Sequence, residues 1–139
     1  MIISEIMRYL DSRGIVTYDD TGATGNIFMG LLPPVPDIAV AITPSGGIAS
    51  SIKHPYDQPT FQVLVRGDED PRTGYNLALA IYDALHGFGS APFIPGGMWA
   101  IKCEGIQSDP VHIGMDGNRR HRYAMNFTVE VARPSTHRG

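Results

Sequence analysis

The chain has 139 residues, 42% of them apolar and 18% charged, with a formal charge of −3 and a pI near 5.9. This length accommodates one well-buried core and excludes two, and the acidic balance excludes a sequence-independent nucleic-acid binder, whose phosphate contacts need a basic surface. Sixteen glycines and eleven prolines predict long, shaped loops on a modest scaffold, and the single Cys103 excludes an intrachain disulfide and a cysteine-rich zinc cluster and suits a reducing cytosol.

Ile3, Ile6, Met7 and Leu10 recur at helical spacing, with Ser4, Glu5, Arg8 and Asp11 between them and Gly14 as a stop, which predicts an amphipathic helix over residues 2–12. Charged residues interleave with apolar ones here, unlike a signal peptide. No stretch reaches the roughly 20 apolar residues of a membrane helix. After the polar run 18–26, NIFMG and IAVAIT read as two short strands separated by the stiff LLPPVPD turn.

Residues 44–59 lack periodicity and predict a loop longer than a compact domain usually needs. TFQVLVR alternates Phe61, Val63 and Val65 against Gln62, Leu64 and Arg66, the pattern of a strand with one apolar face. Asp70 before Pro71 is a natural helix start, and Tyr75, Ala78, Leu79, Tyr82 and Leu85 share a face, so a helix is predicted over 71–86. A second irregular loop, GFGSAPFIPGG, follows.

MWAIKCEGIQ places Trp99, Ile101 and Cys103 on one side of a strand, and HRYAMNFTVEV groups Tyr123, Met125, Phe127, Val129 and Val131. VHIG is a short strand and residues 115–120 a turn through Asp116-Gly117-Asn118. The polar tail, about 132–139, is expected to fray. The fold class is α+β in a single domain over 1–139: about five strands in a largely antiparallel sheet, two helices packed on the face that carries Phe61, Val63, Phe127 and Val129, and long Gly/Pro-rich loops.

Catalytic chemistry finds little support. His54, His86, His112, His121 and His137 lie in no helical ligand pair and near no second cysteine, so no metal and no cofactor is expected. One alternative joins His112, His121 and Asp116 across the hairpin as a small hydrolase site. Asp68, Glu69 and Asp70 suit the solvated start of a helix. GFGSAP resembles a dinucleotide loop only until its third glycine position, which is Pro92. Arg66-Gly67-Asp68 reads as a strand end, and Asn126-Phe127-Thr128 as strand. Arg119, Arg120, His121 and Arg122 form a local basic cluster; one alternative reads it as a nucleic-acid module, but its simplest reading in an acidic chain is a solvated strand start. What remains is apolar residues on loops: Ile48, Ile52, Tyr56, Phe88, Phe93 and Ile94, which imply partner surfaces if exposed.

GIVTY, NIFMGLLPPVPDIAVAI, the Gly46-Gly47 pair, YDQPTFQVLVRG, IYDALHG and IQSDPVHIGMDGNRRHRYAMNFTVEV, in this order over roughly residues 2–131, resemble the tail terminator or minor capsid proteins of long-tailed bacteriophages. The most telling pieces are Asp57-Gln58-Pro59 leading into Gln62 to Gly67, and Pro110, Gly114, Asp116 and Arg120 leading into Asn126-Phe127; the 18–26 segment is longer than the family pattern. The resemblance implies a non-enzymatic virion protein at the head-tail junction, assembled in the host cytoplasm. It would form a homo-oligomeric ring of six that caps the tail tube protein, ends tube polymerisation and meets the head connector or stopper protein, while DNA passes through the lumen without specific binding. No membrane is involved. A head-completion or stopper protein at the same junction is the neighbouring alternative.

Ring closure requires two different patches that meet. The interface candidates are Gly46, Gly47, Ile48, Ile52, Lys53, His54 and Tyr56 in the first loop, Gln62 and Arg66 on the strand, Phe88, Phe93 and Ile94 in the second loop, and Asp109, Pro110, Asp116, Arg119 and Arg120 around the hairpin.

Overall fold

A computed structural model describes residues 1–21 and 23–138. The elements in chain order are α1 (Ile2–Ser12), β1 (Ile27–Met29), β2 (Ala39–Gly47), β3 (Tyr56–Asp57), β4 (Pro59–Arg66), α2 (Pro71–Leu85), β5 (Gly89–Pro92), β6 (Trp99–Gly105), β7 (Val111–Met115) and β8 (His121–Ala132). The class is α+β, as expected, with eight strands where about five were predicted. The additional strands are short: β3 and β5 lie inside stretches read as loops, and β7 is the short strand expected at VHIG, whereas β1 falls on the strand expected at NIFMG.

The sheet order is β1-β2-β4-β8-β6-β5, antiparallel throughout except that β1 runs parallel to β2. The strand β8 is the axis. On one edge it pairs with β3 and then β4; on the other with β6 and then β7. Because β4 already occupies one edge of Arg122, Tyr123 and Ala124, β7 must use the opposite one, so β6 and β7 act as a single interrupted partner strand.

Both helices cover the face that carries Phe61, Val63, Met125, Phe127 and Val129. Ile3, Ile6 and Leu10 of α1, and Ala78, Ile81 and Leu85 of α2, are buried with these in one cluster. Phe61 and Phe127 sit opposite each other in the register and stack with centroids 5.3 Å apart. Within α2 the buried line is Gly74, Ala78, Ile81 and Leu85, rotated from the predicted face, so that Tyr75, Leu79 and Tyr82 are only half-buried. The cause is close backbone approach: a Cβ on Gly67 would come within 2.6 Å of the Gly74 nitrogen, so the start of α2 lies flush on the strand end. Asp70 caps the helix by accepting from the Arg72 amide at 3.0 Å, as its position before Pro71 predicts.

Three further expectations are corrected. Glu5 is buried, because its carboxylate accepts the Met98 amide at 2.7 Å. In β6 a bulge between Ala100 and Lys102 shifts the pattern, so Ala100 and Cys103 point inward while Trp99 is exposed. Burial pushes the Cys103 thiol up to about 12. The polar tail does not fray through Arg138. That residue is buried, and its guanidinium donates to the buried Asp57 carboxylate at 2.6 Å.

The connection 30–38 crosses the sheet face opposite the helices. Prolines at 33, 34 and 36 remove amide donors, so its carbonyls need donors from elsewhere. Arg66 supplies them: Nε donates to the Asp37 carbonyl at 2.8 Å, and Nη2 to the carbonyls of Pro33 (2.7 Å) and Pro36 (2.5 Å). Burial lowers the Arg66 pKa and the neighbouring Arg120 charge adds to this, with Asp116 and Asp37 opposing. Replacing this fork with an ammonium sacrifices the simultaneous reach to three carbonyls. We therefore expect Arg66→Lys to lower unfolding free energy by about 2 kcal/mol, read from urea denaturation; an unchanged midpoint would show that the loop does not depend on the guanidinium.

Candidate assembly surface

The register places exposed apolar side chains at two ends and two edges of the sheet. At one end the bulge between Pro44 and Gly46 and the positive φ angles of Gly46 (89°) and Gly47 (115°) turn the chain out of β2 into the 48–55 loop. Ile48, Ile52 and Tyr56 are exposed there, Ile52 at 82%, beside the exposed Lys53 and His54. Ile48, Ala49, Ser51, His54, Tyr56 and Gln58 line an open hollow of about 550 Å³. Tyr56 pairs with Ala132 at the end of β8, and Ala100 pairs with the preceding Val131 from the other side, which brings the exposed Trp99 to the same end.

This end is held from beneath by Asp57. Its carboxylate lies 2.6 Å from the Arg133 Nε and 2.6 Å from the Arg138 Nη1. The bond from Arg138, followed by one from Ser50, holds the Asp57 carboxyl well below the usual carboxylate range. The Arg133 amide also donates to the Pro55 carbonyl at 2.6 Å, so the tail closes over the loop it stabilises.

The other end is the β7–β8 hairpin together with the 30–38 connection. Asp116 closes the turn by accepting the Asn118 and Arg120 amides and the Arg120 Nε at 2.8 Å. Arg120 is buried; it spans from Asp116 to the Pro34 carbonyl at 2.7 Å and the Asp37 carboxylate at 3.1 Å. Exposed here are Leu31 (73%), Val35 (74%) and Arg119, which lies 3.6 Å from Glu69. The sheet face between the two ends is polar, with Gln62 opposite Asn126 and Lys102 opposite Glu130.

The sequence candidates thus divide. Gly46, Gly47, Ile48, Ile52, Lys53, His54, Tyr56 and Gln62 are exposed, as is Arg119, while Asp109 accepts the Tyr75 hydroxyl at 2.7 Å. Arg66, Pro110 and Arg120 are buried, and Asp116 is spent within its own turn, so these shape the surface from inside. Phe88 and Phe93 are not the exposed anchors expected: Phe93 is buried and Phe88 half-buried against the core, where they stack at 4.1 Å and both meet Tyr9 edge-on at 5.0 and 5.3 Å, with Ile94 half-buried beside them. Residues the sequence reading missed are Leu31, Val35, Trp99, Ile106, Val111, Ile113 and Met115, all exposed. The signal available for the last three was a strand-length apolar stretch with no charge in it.

His112 and His121 do meet, Nε2 to Nδ1 at 2.9 Å, but Asp116 faces Arg120, so the hydrolase trio is not assembled. His86 accepts the Gly105 amide at 3.0 Å and stacks on Tyr82, whereas His54 and His137 are exposed. Among the described residues, no group of three or more His, Cys, Asp or Glu is placed to hold a metal, and no helix is long and apolar enough to cross a membrane.

A family model described as bacteriophage tail terminator protein matches residues 9–133. No curated protein matches the chain.

Asp57 generates a testable consequence. Its carboxyl pKa is depressed in the fold, so the stabilisation is complete above the unfolded value of about 3.9 and is lost as pH falls below it toward the folded value. Asp57→Asn is expected to cost about 3 kcal/mol at pH 7 and to flatten the acid limb of a thermal-melting profile below about pH 4. An acid limb as steep as the parent's would show that another carboxylate carries it.

Proposed function

Because the chain belongs to the bacteriophage tail terminator family, we propose that it is the ring-forming subunit that caps the tail tube, ends tube polymerisation and joins the tail to the head. Family membership makes it a structural component of the phage tail. The finer role is supported by how its surfaces are distributed. The observation that carries the reading is the family match across residues 9–133, nearly the whole fold.

A terminator ring has four contacts to make: two along the tail axis and two with neighbouring subunits. The subunit offers exposed surface at both ends of its sheet, the apolar loop bearing Ile48, Ile52 and Tyr56 at one and the Gly117-Asn118 turn of the β7–β8 hairpin at the other. One end would sit on the last ring of tube protein and the opposite end on the connector or stopper protein of the head. A ring of six subunits around the tube axis leaves a lumen through which DNA slides. Capping then needs no chemistry: once the tube end is covered by a surface unlike its own, the next tube subunit has nothing to add to.

The interface proposal centres on Gly46, Gly47, Ile48, Ile52, Lys53, His54, Tyr56, Gln62 and Arg119, which are exposed. Arg66, Asp116 and Arg120 act beneath it by fixing the loop and turn that carry the contact groups.

Electron microscopy of tails assembled with and without the protein tests the reading. Without it, tails should run on into overlong tubes without a terminal ring, and adding the purified protein back should restore length and ring together. Tails of normal length with a normal end in its absence would overturn the terminator role and move the protein to the head side of the junction.

A further inference from the structure

The two lateral edges of the sheet differ in length, charge and exposed apolar surface. The outer edge of β7 pairs with no strand among the described residues. An open edge is normally blunted by charge, proline or burial. The strand β5, at the upper part of the same side, ends in Pro92, but Val111–Met115 contains no charge and no proline. It exposes Val111 (50%), Ile113 (42%) and Met115 (52%), with a bulge as its only protection.

The opposite edge is β1, only three residues long. Beside it runs an open groove of about 640 Å³ whose apolar wall includes Phe28, Met29, Leu31 and Val35 and whose rim carries Asp19 and Asp20. Asp19 accepts from the amides and hydroxyls of Thr21 and Thr24, which fixes its carboxylate in place as an anion. The β7–β8 hairpin presents the exposed Arg119 at its turn, in a loose surface pair with Glu69 at 3.6 Å. A five-residue strand spans roughly 17 Å, enough to lie along β1 and reach the Leu31–Val35 wall.

We infer that β7 of one copy of this chain docks in the groove beside β1 of the next, carrying the sheet from subunit to subunit. The occupant is a second copy because the two patches are complementary: an uncharged apolar strand edge whose turn projects Arg119 meets an apolar groove whose rim carries the fixed Asp19 carboxylate. They lie on opposite edges of one sheet and are unlike each other. The contact is therefore heterologous, and successive copies add head to tail until the rotation closes. This interface rests on the ring reading above and leaves the loop bearing Ile48, Ile52 and Tyr56 at one sheet end and the exposed Gly117-Asn118 tip of the β7–β8 turn at the other free for the axial partners.

The test uses two full-length variants, Leu31→Cys and Ile113→Cys, with a short bismaleimide. Cys103 is buried and stays silent. Both replaced side chains are exposed, and unchanged thermal melts check that the variants fold. The mixture should cross-link into dimers while each variant alone does not, and adding Val111→Lys to the Ile113→Cys subunit should cut the yield at least fivefold. A chain carrying both cysteines should give a ladder that stops at the ring size. Self-linking of Ile113→Cys at the yield of the mixture would mean symmetric β7–β7 pairing and overturn the proposal. Terminal rings visible on tails but no cross-link in the mixture would overturn this interface and leave the ring standing; no ring and no cross-link would overturn both.

Discussion

Along most of β8 the chain has a hydrogen-bonding neighbour on either side, and that double pairing is the constraint from which the rest of the architecture follows. A central strand twelve residues long needs partners of matching length. Neither neighbour is continuous: Gln58 interrupts the β3–β4 side and residues 106–110 the β6–β7 side. Period-two alternation along β8 commits Tyr123, Met125, Phe127, Val129 and Val131 to the helix side. Slipping by one residue would bury Asn126, Thr128 and Glu130 instead, so the register is strongly fixed.

The loops are ordered by a different force. A Pro-rich connection has carbonyls in excess of amide donors and cannot satisfy them within itself. Buried arginines make up the deficit: Arg66 and Arg120 together bind the backbone or carboxylate of residues 33, 34, 36 and 37, and Arg138 binds Asp57 beneath the other loop. Each buried guanidinium has donors matched by fixed oxygens at hydrogen-bond distance, which offsets the cost of its burial. The surfaces at both sheet ends are therefore preorganised, which lowers the ordering cost of binding a partner.

How far this was legible in the sequence depended on whether a feature repeats. Ile3, Ile6, Met7 and Leu10 at helical spacing, and the alternation from Tyr123 to Val131, located α1 and β8 because periodicity reports burial directly. Features set by distant partners left no such trace. Nothing local distinguishes Tyr56-Asp57 as a strand; it becomes one because β8 extends past the end of β4. Phe88 and Phe93 read as exposed loop residues until Tyr9 of α1, far away in sequence, is placed edge-on against both rings. Arg138 in a polar tail looked solvated because its partner, Asp57, lies 81 residues earlier. The bulge at Ala100 to Lys102 reversed the exposure of Trp99, and no single-strand pattern encodes a bulge.

The same use of arginine bears on how the proposed ring would let DNA pass. Eleven Lys and Arg against fourteen Asp and Glu already leaves a net charge of −3. Three of those cations, Arg66, Arg120 and Arg138, are buried, and Arg8, Arg72, Lys102, Arg119 and Arg133 lie within ion-pair distance of a carboxylate. The basic cluster at 119–122 that suggests a nucleic-acid module in the sequence is thereby dispersed: Arg120 faces inward and Arg119 leans on Glu69. Non-specific affinity for DNA grows with the number of phosphates a surface can neutralise, and few cations here are free to do so. In the proposed ring, the residues that make the loops rigid are the ones withheld from the lumen, so shaping the docking surfaces and letting DNA slide past follow from one placement of charge.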